Sequence, residues 1–252
     1  MQYIHFTFEE KEKYGILKDN IITEIHPSYF EPYTIAKETY RIEEVEILIP
    51  TIPSKAVCVG LNYRDHAKEM NLSLPSSPVL FMKPSSAAIG PMSSIIHPPF
   101  AKRVDYEGEL AIVIKKKAYQ IPITDIGEYI LGYTCANDVT ARDLQHKDGQ
   151  WTMCKGFDTF LPLGPIISDE VNPDNLAITT YLNGKVVQKS NTEHLIFKAH
   201  YLTSYINQIM TLYPGDVILT GTPGGIGKME DGDEVKVEIE GIGVLTNTYI
   251  KR

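Results

Sequence analysis

The sequence predicts an α+β fold with a mostly antiparallel or mixed sheet core. Short strand-like runs succeed one another between prolines and glycines, a single segment has sustained helical periodicity, and helices and strands do not alternate as in a βα repeat. With 252 residues and 43% hydrophobic content the chain is long enough to bury a full core.

Residues 1–53 alternate apolar and polar positions in short runs, Tyr3-Ile4-His5-Phe6, Tyr14-Gly15-Ile16-Leu17 and Ile21-Ile22 after a Lys-Asp-Asn turn. They read as a small N-terminal antiparallel unit. The proline-bearing link Ile49-Pro50-Thr51-Ile52-Pro53 places the boundary near Pro53, and Ala56-Val57-Cys58-Val59-Gly60 opens a main domain over residues 54–252. Residues 62–70 lack proline and glycine and predict a short helix. Strand-like pieces follow at Val79-Leu80-Phe81-Met82, at Ser94-Ile95-Ile96, and over residues 109–114 and 130–136. Residues 178–182 and 185–188 flank Asn183-Gly184, a strong hairpin signal because both residues tolerate positive φ. Ala199, Leu202, Ile206 and Ile209 share one face of an amphipathic helix, and the tail returns to strands over residues 217–219 and 235–239.

A formal net charge of −8 lacks the basic footprint that a phosphate backbone demands, so nucleic acid is excluded as a partner. The opening Met-Gln-Tyr-Ile-His has no basic and apolar leader, and no apolar run reaches membrane-span length, so a cytoplasmic protein with no membrane partner is expected. Cys58, Cys135 and Cys154 fit neither a disulfide framework nor a zinc spacing and read as reduced core thiols.

The most informative segment runs from Asp105 to Ile114. Extended, it points Glu107, Glu109, Ala111 and Val113 to one face and Gly108, Leu110, Ile112 and Ile114 to the other. Apolar residues on both faces carry this strand into the core, where two carboxylates need compensation; a cation supplies it, unless the pair lies on a solvated face. Gly108 between them suits a bulge or a close backbone approach. Asp138 follows the strand over residues 130–136 and either completes a three-carboxylate site or caps the next element, with Thr140 and Asp143 at capping-box spacing. All-oxygen ligation selects a hard ion: Mg²⁺ or Mn²⁺, or Ca²⁺ if coordination is loose.

His66 and Glu69, three apart, share a helical face, as a general base with its orienting carboxylate or as an ordinary surface pair. Lys155 and Arg142 either meet a substrate carboxylate or are solvated charges. The loop Thr220-Gly221-Thr222-Pro223-Gly224-Gly225-Ile226-Gly227 matches neither a P-loop nor a dinucleotide fingerprint; it is an anion-binding concavity or a tight turn.

In this order, the motifs resemble the fumarylacetoacetate hydrolase family: Gly60-Leu61-Asn62-Tyr63 with His66 and Glu69, Phe81-Met82-Lys83-Pro84, Asp105 to Leu110, Asn137 to Asp143, Lys155 to Phe160, Gly164-Pro165, Asn183-Gly184, Pro214 to Pro223 and Gly241-Ile242-Gly243. The resemblance covers residues 55–250. It implies a rolled mixed β-sandwich, a homodimer, and a divalent metal held by Glu107, Glu109 and Asp138. It further implies a catalytic dyad of His66 and Glu69 on a lid, and contacts to a small 2-oxo acid substrate from Lys155, Arg142, Gln145 and Thr222. The family's namesake adds an aspartate ligand before the histidine, whereas residues 55–60 offer no carboxylate, so this chain resembles the smaller bacterial and organellar branch.

The implied chemistry is metal-dependent hydrolysis of a C–C bond in an acylpyruvate or related β-diketo acid through a pyruvate enolate, in aromatic-compound catabolism. The same enolate admits oxaloacetate decarboxylation, and isomerisation or decarboxylation of dioates such as 2-hydroxyhepta-2,4-diene-1,7-dioate. A non-catalytic 2-oxo-acid binding protein is the alternative from another class, and the presence of both His66 and Glu69 argues against it.

Overall fold

The computed structural model describes residues 1–69, 73–146 and 150–251, with the side chains of His66, Ala67 and Glu69 outside that set. The first strands are β1 (Gln2–Phe8), β2 (Lys11–Lys18), β3 (Ile21–His26), β4 (Thr34–Arg41) and β5 (Glu46–Ile47). Asp19 and Asn20 both take positive φ, so the Lys-Asp-Asn turn closes β2 onto β3 with the twist that hairpins favour. Then come β6 (Lys55–Gly60), α1 (Arg64–Glu69), β7 (Val79–Pro84), β8 (Ala88–Ile89), β9 (Ser94–Ile96), β10 (Val104–Tyr106) and β11 (Gly108–Ile114). Further on are β12 (Ile130–Asn137), β13 (Thr140–Ala141), α2 (Thr152–Lys155), β14 (Leu161–Ser168), β15 (Ala177–Leu182) and β16 (Lys185–Asn191). The chain ends with α3 (Ala199–Ile209), β17 (Val217–Leu219), β18 (Gly227–Lys228), β19 (Glu234–Ile239) and β20 (Gly243–Ile250).

The main sheet runs β4-β3-β2-β1-β14-β12-β11-β17-β6-β7, with β5 beside β1 and β8 beside β14. A second sheet runs β16-β15-β19-β20-β9, and a small one β13-β10-β18. Pairing is mostly antiparallel, with parallel contacts at β17–β6, β14–β8 and β20–β9, so the sheets are mixed and the expected α+β sandwich is what the chain forms.

Alternation along β11 explains its central place. Leu110, Ile112 and Ile114 enter the core between the sheets, with Val237, Ile239 and Leu245 opposite and Ala199, Leu202 and Ile206 of α3 closing one end. Ala111 and Val113 enter a second cluster on the other face with Cys58, Ala136 and Leu219. The N-terminal strands belong to the same sheet, because β1 pairs with β14 through Gln2 and Tyr3, and Ile4, Phe6 and Ile22 are in the inter-sheet core. The predicted helix over residues 62–70 is observed over 64–69. The three cysteines are buried and free. No helix among the described residues is long and apolar enough to cross a membrane.

Candidate active site

The site lies at the end of the β11–β12 pair. Gly108 pairs with Asn137, the Asp138 N–H donates to the Glu107 carbonyl at 2.8 Å, and the Glu107 N–H donates to Asn137 Oδ1 at 2.9 Å. These bonds bring Glu107 and Asp138 face to face although they are far apart in sequence. Glu109 shares the face of Glu107, and one carboxylate oxygen from each of Glu107, Glu109 and Asp138 lies within 4.8 Å of the others. All three residues are buried. Asp138 therefore does not cap a helix. Asp143, offered as a capping-box partner, instead receives the N–H groups of Lys102 and Arg103.

Gly108 makes this convergence possible by close approach. A Cβ there would stand 2.1 Å from Thr180 Oγ1, so any side chain would push the second sheet away. Its N–H donates to Gln188 Oε1 at 3.0 Å and its carbonyl accepts from Thr222 Oγ1 at 2.9 Å. Gln188 Nε2 in turn donates to Thr222 Oγ1 at 2.9 Å. The Thr222 hydroxyl thus spends its proton on the backbone and turns only acceptor capacity toward the pocket.

The glycine-rich loop after β17 meets an anion, and that anion is a protein carboxylate: Gly221 N–H donates to Glu109 Oε2 at 2.6 Å. Gly221 has φ +99°, and a Cβ there would come within 2.8 Å of Asn62 Cβ. The loop presses on the entry to α1 with no room for a side chain.

Three cations surround the carboxylates. Lys155 Nζ donates to Glu107 Oε2 at 2.9 Å and Asp138 Oδ2 at 2.5 Å. Arg142 bonds Glu107 Oε1, Asp105 Oδ2 at 2.9 Å and Gln145 Oε1 at 2.6 Å. Lys83 Nζ lies 2.8 Å from Asp138 Oδ1, but its three protons go to the carbonyls of Val139, Lys155 and Phe160. Asp138 Oδ1 is consequently buried beside a positive charge without receiving a hydrogen bond.

Burial alone would raise the Glu107 carboxyl, but the Lys155 and Arg142 charges and their hydrogen bonds outweigh it and hold the group down at about 2. Glu109 goes the other way. Burial raises it, the negative charges of Asp138 and Glu107 raise it further, and Lys155 with the Gly221 N–H offsets only part. Lys155 is held protonated: burial disfavours its charge, but Asp138 and Glu107 more than compensate.

The donor set fits a hard divalent cation. It consists of converging carboxylate oxygens, one without a hydrogen bond and one on a glutamate whose ionisation a nearby cation would restore. Fully ionised, Glu107, Glu109 and Asp138 are matched in charge by Lys83, Lys155 and Arg142, while Arg103 pairs with Asp105. A divalent ion would therefore leave an excess of positive charge that suits a dianionic ligand.

The pocket over these groups has a volume of about 180 Å³. Glu107, Glu109, Asp138, Arg142, Gln145, Lys155 and Thr222 all line it. Val59, Leu61, Phe81, Trp151 and Ile226 form an apolar wall that sequence reasoning did not assign. The backbone of His66 and Glu69 lies in α1, but the side chains of this proposed dyad fall outside the described residues. Also unassigned were Lys83, Asn62 and Gln188. Asn62 and Lys83 lie in motifs that carry the family resemblance, Gly60-Leu61-Asn62-Tyr63 and Phe81-Met82-Lys83-Pro84, whereas Gln188 lies in none.

A mixed β-sandwich with three buried carboxylates converging at a strand end defines the class of protein. The chain belongs to the fumarylacetoacetate hydrolase family: the profile of the fumarylacetoacetate (FAA) hydrolase C-terminal domain matches residues 55–250, and an Rv2993c-like N-terminal profile matches residues 1–50. It is 58% identical to an uncharacterized protein of Archaeoglobus fulgidus over 82% of this chain and 83% of that one. It is 47% identical to the mitochondrial oxaloacetate tautomerase Fahd2a of Rattus norvegicus over 82% of this chain and 70% of the rat protein. Among solved structures, the 5-carboxymethyl-2-hydroxymuconate delta-isomerase of Mycobacterium smegmatis superposes with a TM-score of 0.93 at 40% identity, covering all of both chains.

Proposed function

We propose that this chain is a divalent-metal-dependent enzyme that interconverts the keto and enol forms of a short 2-oxo dicarboxylic acid, with oxaloacetate as the substrate. The observation that carries this reading is the distribution of charge in the pocket. Its described cations, Arg142 and Lys155, are both bonded to the carboxylates, and the other side chains named in its lining, Val59, Leu61, Phe81, Trp151 and Ile226, are apolar. A four-carbon dianion keeps both carboxylates near the cations and offsets the excess charge of a metal-loaded site. A seven-carbon dioate would press its far carboxylate on the apolar wall, at the cost of burying an unpaired charge. The cavity also falls below the ~300–1,000 Å³ of pockets for larger ligands. The rat relative, an oxaloacetate tautomerase by name, supports the same choice.

Glu107, Glu109 and Asp138 are the ligands in this reading, and a bound Mg²⁺ or Mn²⁺ supplies Lewis acidity that stabilises negative charge on the 2-oxo oxygen. Arg142, kept in place by Asp105 and Gln145, turns its guanidinium to the substrate carboxylate. Lys155, protonated and buried, donates toward the developing enolate oxygen and cannot serve as the base. The base that takes the C3 proton is His66, oriented by Glu69, on the helix that β6 feeds. Proton transfer alone completes this reaction. Hydrolysis of an acylpyruvate would need, in addition, a water positioned at the distal carbonyl.

The test follows loss of enol absorbance from oxaloacetate with Mg²⁺, with Mn²⁺ and with a chelator, while pyruvate and CO₂ are assayed separately. Catalysis should need the metal and fall about 100-fold or more in Glu109→Ala. Faster CO₂ release, or acid product from acylpyruvates, without faster tautomerisation would assign the site to decarboxylation or hydrolysis instead. The homodimer implied by the resemblance forms part of this proposal, and sedimentation velocity checks it.

A further inference from the structure

Trp151 is the sole tryptophan of the chain and it stands in the pocket wall. Its ring is seated over Gly60, where a Cβ would come within 2.7 Å of Trp151 Cζ3, so the absent side chain at the end of β6 is what admits the indole. The ring also meets Phe81 edge-on, with centroids 5.0 Å apart and planes at 72°, and its Nε1–H donates to the His146 carbonyl at 3.2 Å. Ring, glycine and hydrogen bond together fix the indole in the pocket lining. The Phe81 ring in turn lies 5.0 Å from Lys155 Nζ, so it contacts both the indole and the ammonium.

The backbone of Trp151 has a different task from its side chain. Its carbonyl accepts the N–H groups of Cys154 and Lys155 and so begins α2, which presents Lys155 to the carboxylates. Substituting the side chain leaves that carbonyl in place.

We infer that Trp151 is a specificity-determining residue that limits the length of the 2-oxo acid the site admits, by closing the pocket beyond the fourth carbon. This rests on the proposed reading of the polar end as a 2-oxo acid site. A chain lengthened by methylenes must displace an indole that is fixed on one side by Gly60 and on another by Phe81. Removing the ring opens room there and keeps the Trp151 carbonyl that begins α2.

The test uses the full chain with Mg²⁺ and two homologous series: 2-oxo dicarboxylates of four to seven carbons and unbranched 2-oxo monocarboxylates of three to seven carbons. Affinities are measured by calorimetry for the wild-type protein, Trp151→Ala and the more conservative Trp151→Leu. Quenching of the single tryptophan gives a second readout in the wild type. The wild-type protein should disfavour the longer members by about tenfold or more, as expected when methylenes do not fit, and both variants should reduce that penalty to about threefold or less. The shortest members should bind all three proteins alike. A uniform loss of affinity for every length would make Trp151 a structural residue, and an unchanged length penalty in a folded variant would place the limit elsewhere; either overturns the inference. The monocarboxylate series keeps the two proposals apart: a length cut-off there that Trp151→Ala or Trp151→Leu relieves supports the inference even if oxaloacetate is not a substrate.

Discussion

Lys155 illustrates how one residue sets the state of the whole site. Its ammonium bridges the buried Glu107 and Asp138, so it acts as the internal counter-ion of the metal-free chain. Removing one member of such a buried pair typically costs about 3–5 kcal/mol, because the remaining charge stays uncompensated. Lys155→Met should therefore lower the melting temperature strongly in chelator, and Mg²⁺ should recover more of it than in the wild type. Scanning calorimetry with and without Mg²⁺ measures both. Equal Mg²⁺ stabilisation of the two proteins would mean that the ammonium and the ion do not act on the same carboxylates.

Glu109 and Glu107 respond to pH with opposite signs. Glu107, held at about 2, contributes stability that is present above the ordinary glutamate range and is lost as pH falls through about 2. Glu109 is raised, so the folded metal-free chain keeps a proton that the unfolded chain has lost, and this contribution to stability declines as pH rises through the raised value. Mg²⁺ must displace that proton. Binding near neutral pH should release up to about one proton and strengthen as pH rises, because ligation requires the carboxylate. Titration calorimetry in two buffers of different ionisation enthalpy counts the protons; none released, with affinity flat across pH, would contradict the assignment of Glu109 as a ligand. Both glutamates were legible in the sequence because strand geometry is local and a period of two needs only adjacent residues. Lys83 stood in a quoted motif, but its role was not legible, because its acceptors lie 56, 72 and 77 residues further along the chain.

At the scale of elements, the mounting of α1 depends on Asn62. The buried amide donates to the carbonyls of Phe197 and Thr220 at 2.9 and 2.7 Å and accepts from Phe197 N–H at 2.8 Å, while the Asn62 carbonyl accepts from Ile196 N–H. Beside it Tyr63 bridges to Leu195, and Ser190 donates to Asp65 at 2.7 Å. The helix that bears His66 and Glu69 is thus fastened at its start to the segment before α3 and to the end of β17. Asn62→Ala leaves buried backbone groups unpaired and should destabilise the chain by about 2–4 kcal/mol. It should lower kcat for tautomerisation while Mg²⁺ affinity, set by β11 and β12, stays within about threefold. A variant that lost Mg²⁺ affinity in the same proportion would show that the carboxylates and α1 are one cooperative unit. Strand and hairpin positions over residues 177–191 were legible from alternation and the Asn183-Gly184 turn, which has positive φ at both residues. The clamp on α1 was not, since its partners come from segments 125 to 158 residues away that share no pattern with it.

At the scale of the whole molecule, the sequence read residues 1–53 as a small unit set apart by prolines, and local alternation could reveal nothing of where those strands join. In the fold, β1 hydrogen-bonds to β14, and Ile4, Phe6 and Ile22 pack into the same core as Leu110, Ile112 and Ile114 of the strand that carries Glu109. All three N-terminal side chains are fully buried. At about 1.5–3 kcal/mol for each large apolar side chain, they represent roughly 5–9 kcal/mol of burial, comparable with the ~5–15 kcal/mol net stability of a typical domain. Residues 54–252 alone should therefore not form the native core. We expect the intact chain to melt in a single cooperative transition, and the truncated chain to bind an apolar dye, lose that transition and fail to bind Mg²⁺. Two separate transitions in the intact chain, or a truncated chain that melts cooperatively and binds Mg²⁺ as before, would show that the N-terminal strands are an appendage to the site and not one wall of its support.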